Sequence, residues 1–148
     1  VTHHELISID KDAFRQGDLV FQAHEIRFNV STREHSEVFH PNVTFTSHHE
    51  DGTKSLIAID TSRFRVGYVA DFPNSYAHFT FYEDGTTDGV IVIDDEKYHL
   101  EPLHRFNSSN NKQSTKNHVV YKASHVKSEI FESLEPICGA SVHRNLLE

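Results

Sequence analysis

With 148 residues and a mass of 17.0 kDa, the chain can bury the core of one ordinary domain, and 11 Phe and 5 Tyr give it the apolar mass that disordered segments lack. Its charge is acidic, 14 Lys and Arg against 22 Asp and Glu, for a formal −8 and a pI near 5.9. There is no basic block to meet phosphate backbones or anionic lipid, and no apolar run near the ~20 residues of a membrane-spanning helix, so nucleic acid and direct membrane insertion are set aside.

In chain order, the hydrophobic period is two, not 3.6. Within the stretch 20–30, Ile26, Phe28 and Val30 point one way while Glu25, Arg27 and Asn29 point the other, which predicts a half-buried strand. Further strands are predicted at 38–46, 55–60, 65–69, 77–82, 89–94 and 97–100. Turns are predicted at Glu50-Asp51-Gly52, at 83–89 and at Asp94-Asp95-Glu96, where Gly, Asp and acidic pairs suit tight reversals. The segment 107–117 has no apolar residue and reads as an exposed polar loop. A helix of one or two turns is predicted over 125–134, with Ser124 as N-cap, Val126, Ile130 and Leu134 on one face, and Pro136 as the stop. The expected fold is mainly β: an antiparallel sandwich or partly open barrel over 1–148 as a single domain, with at most one or two short helices near the C-terminus.

The chain carries 13 His and a single Cys. His4-Glu5 and His24-Glu25 begin like the helical zinc-protease motif, but that motif needs a second His four residues on, and Ser8 and Phe28 stand there. The pairs His3-His4 and His48-His49 could hold metal weakly. The acidic pairs Glu83-Asp84 and Asp94-Asp95 fall in predicted turns, where solvated carboxylates are normal. With no Gly-x-Ser-x-Gly elbow and no Gly-rich phosphate loop, the chain is expected to lack catalytic machinery and a cofactor of its own. Sequons at Asn29, Asn42 and Asn107, and a chain that opens on Val1, point to a secretory protein whose leader is already missing. Cys138, between Pro136-Ile137 and Gly139, could present a thiolate as a fourth ligand to another protein's zinc, or could be a small buried hydrophobe.

Four blocks then stand out in order: Phe21-Gln22-Ala23-His24-Glu25-Ile26-Arg27-Phe28; Gly67-Tyr68-Val69-Ala70-Asp71-Phe72-Pro73-Asn74-Ser75; Glu101-Pro102-Leu103, inside Tyr98–Phe106 and followed by Val119-Val120-Tyr121-Lys122; and Pro136-Ile137-Cys138-Gly139. Together they resemble the prodomain of ADAM or reprolysin-type zinc metalloproteases, most specifically at the Glu-Pro-Leu block and the Pro-x-Cys-Gly tetrapeptide. The resemblance implies a domain that keeps a metalloprotease catalytic domain latent and assists its folding. It would reside in the lumen of the secretory pathway or on the extracellular face of the membrane. Cys138 would be a candidate switch ligand to the partner's zinc, and a proprotein convertase would cut at a downstream site. Two features depart from the pattern: Cys138 has no companion cysteine in the Gly-x-Val region, and no convertase site appears in His143–Glu148.

Two other readings fit the same residues. A secreted β-sandwich module for glycan or protein ligands explains the strands and sequons, and a metal-sequestering domain explains the histidines. Protonating all 13 His would carry the formal charge from −8 to +5, so acid could also loosen a contact made by this domain.

Overall fold

The computed structural model describes residues 1–10, 17–106 and 116–126. Ten strands are described: β1 (Glu5–Ile7), β2 (Asp18–Ala23), β3 (Ile26–Glu34), β4 (Phe45–His48), β5 (Lys54–Ile57), β6 (Phe64–Val69), β7 (Ser75–Phe81), β8 (Thr87–Ile93), β9 (Glu96–Pro102) and β10 (His118–Lys122). Eight form one antiparallel sheet in the order β1-β10-β9-β8-β7-β6-β3-β2, and β4 and β5 make a separate hairpin. The sheet curls until β1 approaches β2, giving the mainly β, nearly closed barrel that the alternation implies. Among the described residues the only helices are single 3-10 turns, such as Leu103–Arg105 and Ala123–His125. None is long and apolar enough to cross a membrane.

Alternation determines what the barrel holds. Leu19, Phe21 and Ala23 of β2 face Phe28 and Val30 of β3, and Val69, Ala77, Phe79, Ile91, Ile93, Tyr98, Leu100, Val120 and Ile7 continue one buried cluster round the sheet. Phe21 and Phe28, paired in register, stack with centroids 4.7 Å apart. On the outer face, Arg27 and Asn29 are exposed, as the period of two requires.

Four expectations are corrected. The stretch 20–30 is two strands, because His24 (φ 49°) and Glu25 (φ 64°) form a two-residue reversal between paired Ala23 and Ile26. Both lie in the left-handed region that such turns demand and that Asn-Gly usually fills. The strand predicted at 38–46 is mostly irregular: Ser36–Val38 is a 3-10 turn and pairing begins only at Phe45. Phe39 there packs edge-on against Phe45 and Phe64, so its apolar residues serve a local aromatic cluster instead of a ladder. The polar loop ends before Asn117, which is part-buried and exchanges hydrogen bonds with the Ile9 backbone, its Nδ2 donating at 2.9 Å and its Oδ1 accepting at 2.9 Å. Ser124 caps no helix: it lies inside the Ala123–His125 turn, its hydroxyl donates to Glu96, and Val126 is already extended. The remainder of the predicted helix lies outside the described residues.

Candidate functional site

The Glu-Pro-Leu block closes β9. Pro102 is the last residue of the strand, fully buried opposite His118, a place where a missing N–H is tolerated. Leu103 then starts the 3-10 turn, with its backbone N–H donating to the Asn117 carbonyl at 2.9 Å. Glu101 points to the outer face, where the Tyr121 phenol donates to it and Arg105 lies 3.8 Å away. Burial, with the neighbouring Glu101 carboxylate acting in the same direction, raises the Tyr121 pKa, so the phenol keeps its proton. Arg105 also pairs with Asp88 at 2.8 Å and donates to the Tyr82 hydroxyl at 3.1 Å, which pins the turn to β8.

Register puts Leu6, Val119 and Glu101 side by side on the outer face. With Leu103, Phe106, Tyr121, Val1 and His4, Leu6 and Val119 line a groove of about 370 Å³. Val119 forms its buried floor, while Leu6 at 41% and Phe106 at 51% exposure form apolar walls open to solvent. The groove therefore presents an apolar strip beside an ordered polar cluster, the composition of a binding surface with anchors at its centre.

The Gly67–Ser75 block is structural. A Cβ on Gly67 would stand 2.0 Å from the Ser31 carbonyl, so only Gly lets β6 approach β3. Val69 is fully buried, and the Ser75 hydroxyl accepts from the Val69 N–H at 2.8 Å while donating to the Phe72 carbonyl at 2.6 Å. In the Phe21–Phe28 block, Phe21, Ala23 and Phe28 are core residues.

Of the other predicted sites, Asn29 is exposed in mid-β3 and Asn42 is exposed in the turn before β4. Asn107, Pro136, Cys138 and Gly139 lie outside the described residues. The acidic pairs are surface turns: the Asp84 carboxylate accepts from the Thr86 N–H at 2.8 Å, and Asp94 takes φ 51°. The histidine pairs separate in space. His48 and His49 belong to the β4–β5 hairpin region, where His49 meets Ser55 at 2.9 Å, whereas His3 is drawn to His24 from another part of the chain. Sequence reasoning missed the groove, whose residues come from three stretches, and a core pin at His118. A scan against protein-family models and a search of curated proteins gave no match to this chain.

Proposed function

We propose that this domain is the inhibitory and folding-assisting prodomain of a membrane-anchored, ADAM-type zinc metalloendopeptidase, similar to that of TNF-α-converting enzyme. It keeps the enzyme latent in the secretory lumen until a proprotein convertase cuts. The observation that carries this reading is the position of the Glu101-Pro102-Leu103 block, the part of the resemblance with the most specific sequence. Although Pro102 is buried, its neighbour Leu103 lines the open apolar groove with Leu6, Phe106 and Val119, and Glu101 lies beside it on the outer face. A folded body that offers anchors of this kind inhibits mainly by surface contact, with the Cys138 thiolate adding a metal–sulfur bond at most.

The test is a titration of the chain against the catalytic domain of a converting-enzyme-type metalloprotease from the same organism, read with a fluorogenic peptide. Activity should fall at micromolar domain or below. Leu103→Asp or Phe106→Asp should weaken inhibition at least tenfold, since an apolar anchor contributes about 1.5–3 kcal/mol when buried. Cys138→Ala should weaken it only a few-fold, and Leu56→Ser, at the most exposed large hydrophobe among the described residues (78%), should leave it unchanged. Full protease activity at micromolar domain would defeat the proposal. A glycan- or ligand-binding module would give that result.

A further inference from the structure

Three donor side chains converge at the barrel seam from two stretches of the chain, His3 and Glu5 from one and His24 from the other. Glu5 Oε1 lies 3.5 Å from His3 Nε2 and 3.9 Å from His24 Nδ1, and the three donor atoms all lie within 4.8 Å of one another. Corners of a zinc tetrahedron with bonds of ~2.0–2.1 Å stand about 3.4 Å apart, so side-chain shifts of about an ångström close this set.

The ring orientation of His24 is already that of a ligand. Its Nε2 lies 3.2 Å from the Val120 carbonyl, which can only accept, so Nε2 carries the proton. In the neutral ring the Nδ1 lone pair therefore faces the Glu5 carboxylate. A backbone carbonyl holding the far N–H is the usual outer support of a metal-bound imidazole. The His24 side chain is 2% exposed, and its backbone is held at φ 49°, a conformation costly for a non-glycine residue. Strain of this kind persists where the surroundings over-determine it. The segment bearing His3 and Glu5 is held too: the Thr2 N–H and hydroxyl both donate to the His125 carbonyl, at 2.9 and 3.1 Å.

His125 borders the group, with its donor atoms outside the set that lies within 4.8 Å. Its ring centroid is 5.5 Å from that of His3 and 6.0 Å from that of His24, and its Nδ1 is buried without a hydrogen-bond partner. Such an atom is rare enough to require an explanation. A single proton would satisfy one nitrogen–carboxylate contact. A divalent ion would satisfy all the donors, and two or three imidazoles with one carboxylate suit zinc.

We propose that His3 Nε2, Glu5 Oε1 and His24 Nδ1, with His125 as fourth donor, bind a zinc ion that clips the barrel seam. The site ties the segment before β1 and β1 itself to the β2–β3 turn and to the segment that follows β10. It would give the chain a metal of its own, contrary to the expectation that it carries none, and it stands whether or not the domain is a prodomain.

The experiment titrates the chelator-treated chain with Co²⁺ and Zn²⁺. The expected result is one ion per chain at micromolar affinity or tighter, visible cobalt bands of a four-coordinate centre displaced by zinc, and a higher melting temperature with zinc. His24→Asn tolerates positive φ, so it should keep the native circular dichroism spectrum while losing at least tenfold in affinity together with the thermal shift. If His24→Asn unfolds, His3→Ala, at a side chain 57% exposed, decides instead with the same expected loss. The absence of saturable binding would overturn the site. So would unchanged binding in the folded variant, or binding lost in Cys138→Ser or in His48→Ala/His49→Ala instead.

Discussion

Acid should destabilise the barrel through one residue, His118. This imidazole is fully buried at the start of β10. Its Nδ1 donates to Asn117 Oδ1 at 2.6 Å, and its Nε2 accepts the backbone N–H of Thr87 at 3.1 Å. The neutral ring satisfies both partners, whereas protonation turns the Nε2 acceptor into a donor facing a donor. Burial pushes its pKa from 6.5 down to about 4, with nearby Asp84 opposing the shift and His104 adding to it. Because the folded value lies below the unfolded one, this contribution to stability is intact above pH 6.5. It is lost as the pH falls from there towards 4. At pH 5.0 the unfolded imidazole is almost wholly protonated and the folded one about a tenth protonated, so linkage removes about 2 kcal/mol. Against a total of about 5–15 kcal/mol for an ordinary domain, that is a large fraction. Urea unfolding in chelator at pH 7.5, 6.0 and 5.0 would measure it. In His118→Gln the side-chain oxygen can still accept from Thr87, so the variant should start less stable but lack this term. The gap between wild type and variant should narrow by about 2 kcal/mol on going from pH 7.5 to 5.0. A gap that stays constant would refute the reasoning, because the acid response would then belong to other groups.

Two substitutions test the Gly67–Ser75 block as scaffold. Gly67→Ala drives a methyl into the Ser31 carbonyl and must push β3 from β6, costing about 1–3 kcal/mol in denaturant unfolding; a neutral result would mean that the strands are looser than described. Ser75→Ala leaves the Val69 N–H without its acceptor beside a fully buried side chain, so a loss of about 1–2 kcal/mol is expected in the same assay.

The strands that could be read in the sequence are those whose two faces differ. In β3, Phe28 and Val30 go to the core while Arg27 and Asn29 go to solvent, so period and burial agree. β10 escapes this logic because His118, Val119 and Val120 are all buried in succession, one face by the barrel and the other by the groove walls. β1 is three residues long and shows no period at all. The turn at His24-Glu25 was hidden for a different reason: positive φ at two non-glycine residues leaves no compositional mark. The histidine cluster was legible only as an excess of His, since His3, His24 and His125 come from opposite ends of the described chain and meet because the sheet closes. The Glu-Pro-Leu block was found by resemblance, yet its neighbours in the groove, Leu6 and Phe106, look like ordinary scattered hydrophobes in the sequence.

These observations converge on β10. Its first residue is pinned through Thr87 to β8 and through Asn117 to Ile9, and its Val120 carbonyl holds the His24 ring at the seam. Val119 lies between those anchors and Tyr121 just beyond the second, and both face outward as floor and wall of the groove. β10 is thus tied to its surroundings by two imidazoles, His118 at its first residue and His24 at its midpoint, while its outward side chains line the groove. Protonation at His118 opposes the β8 contact, because it turns the acceptor of the Thr87 N–H into a donor. The core residues that β3, β6 and β7 contribute, Phe28, Val30, Val69, Ala77 and Phe79, carry no titratable group.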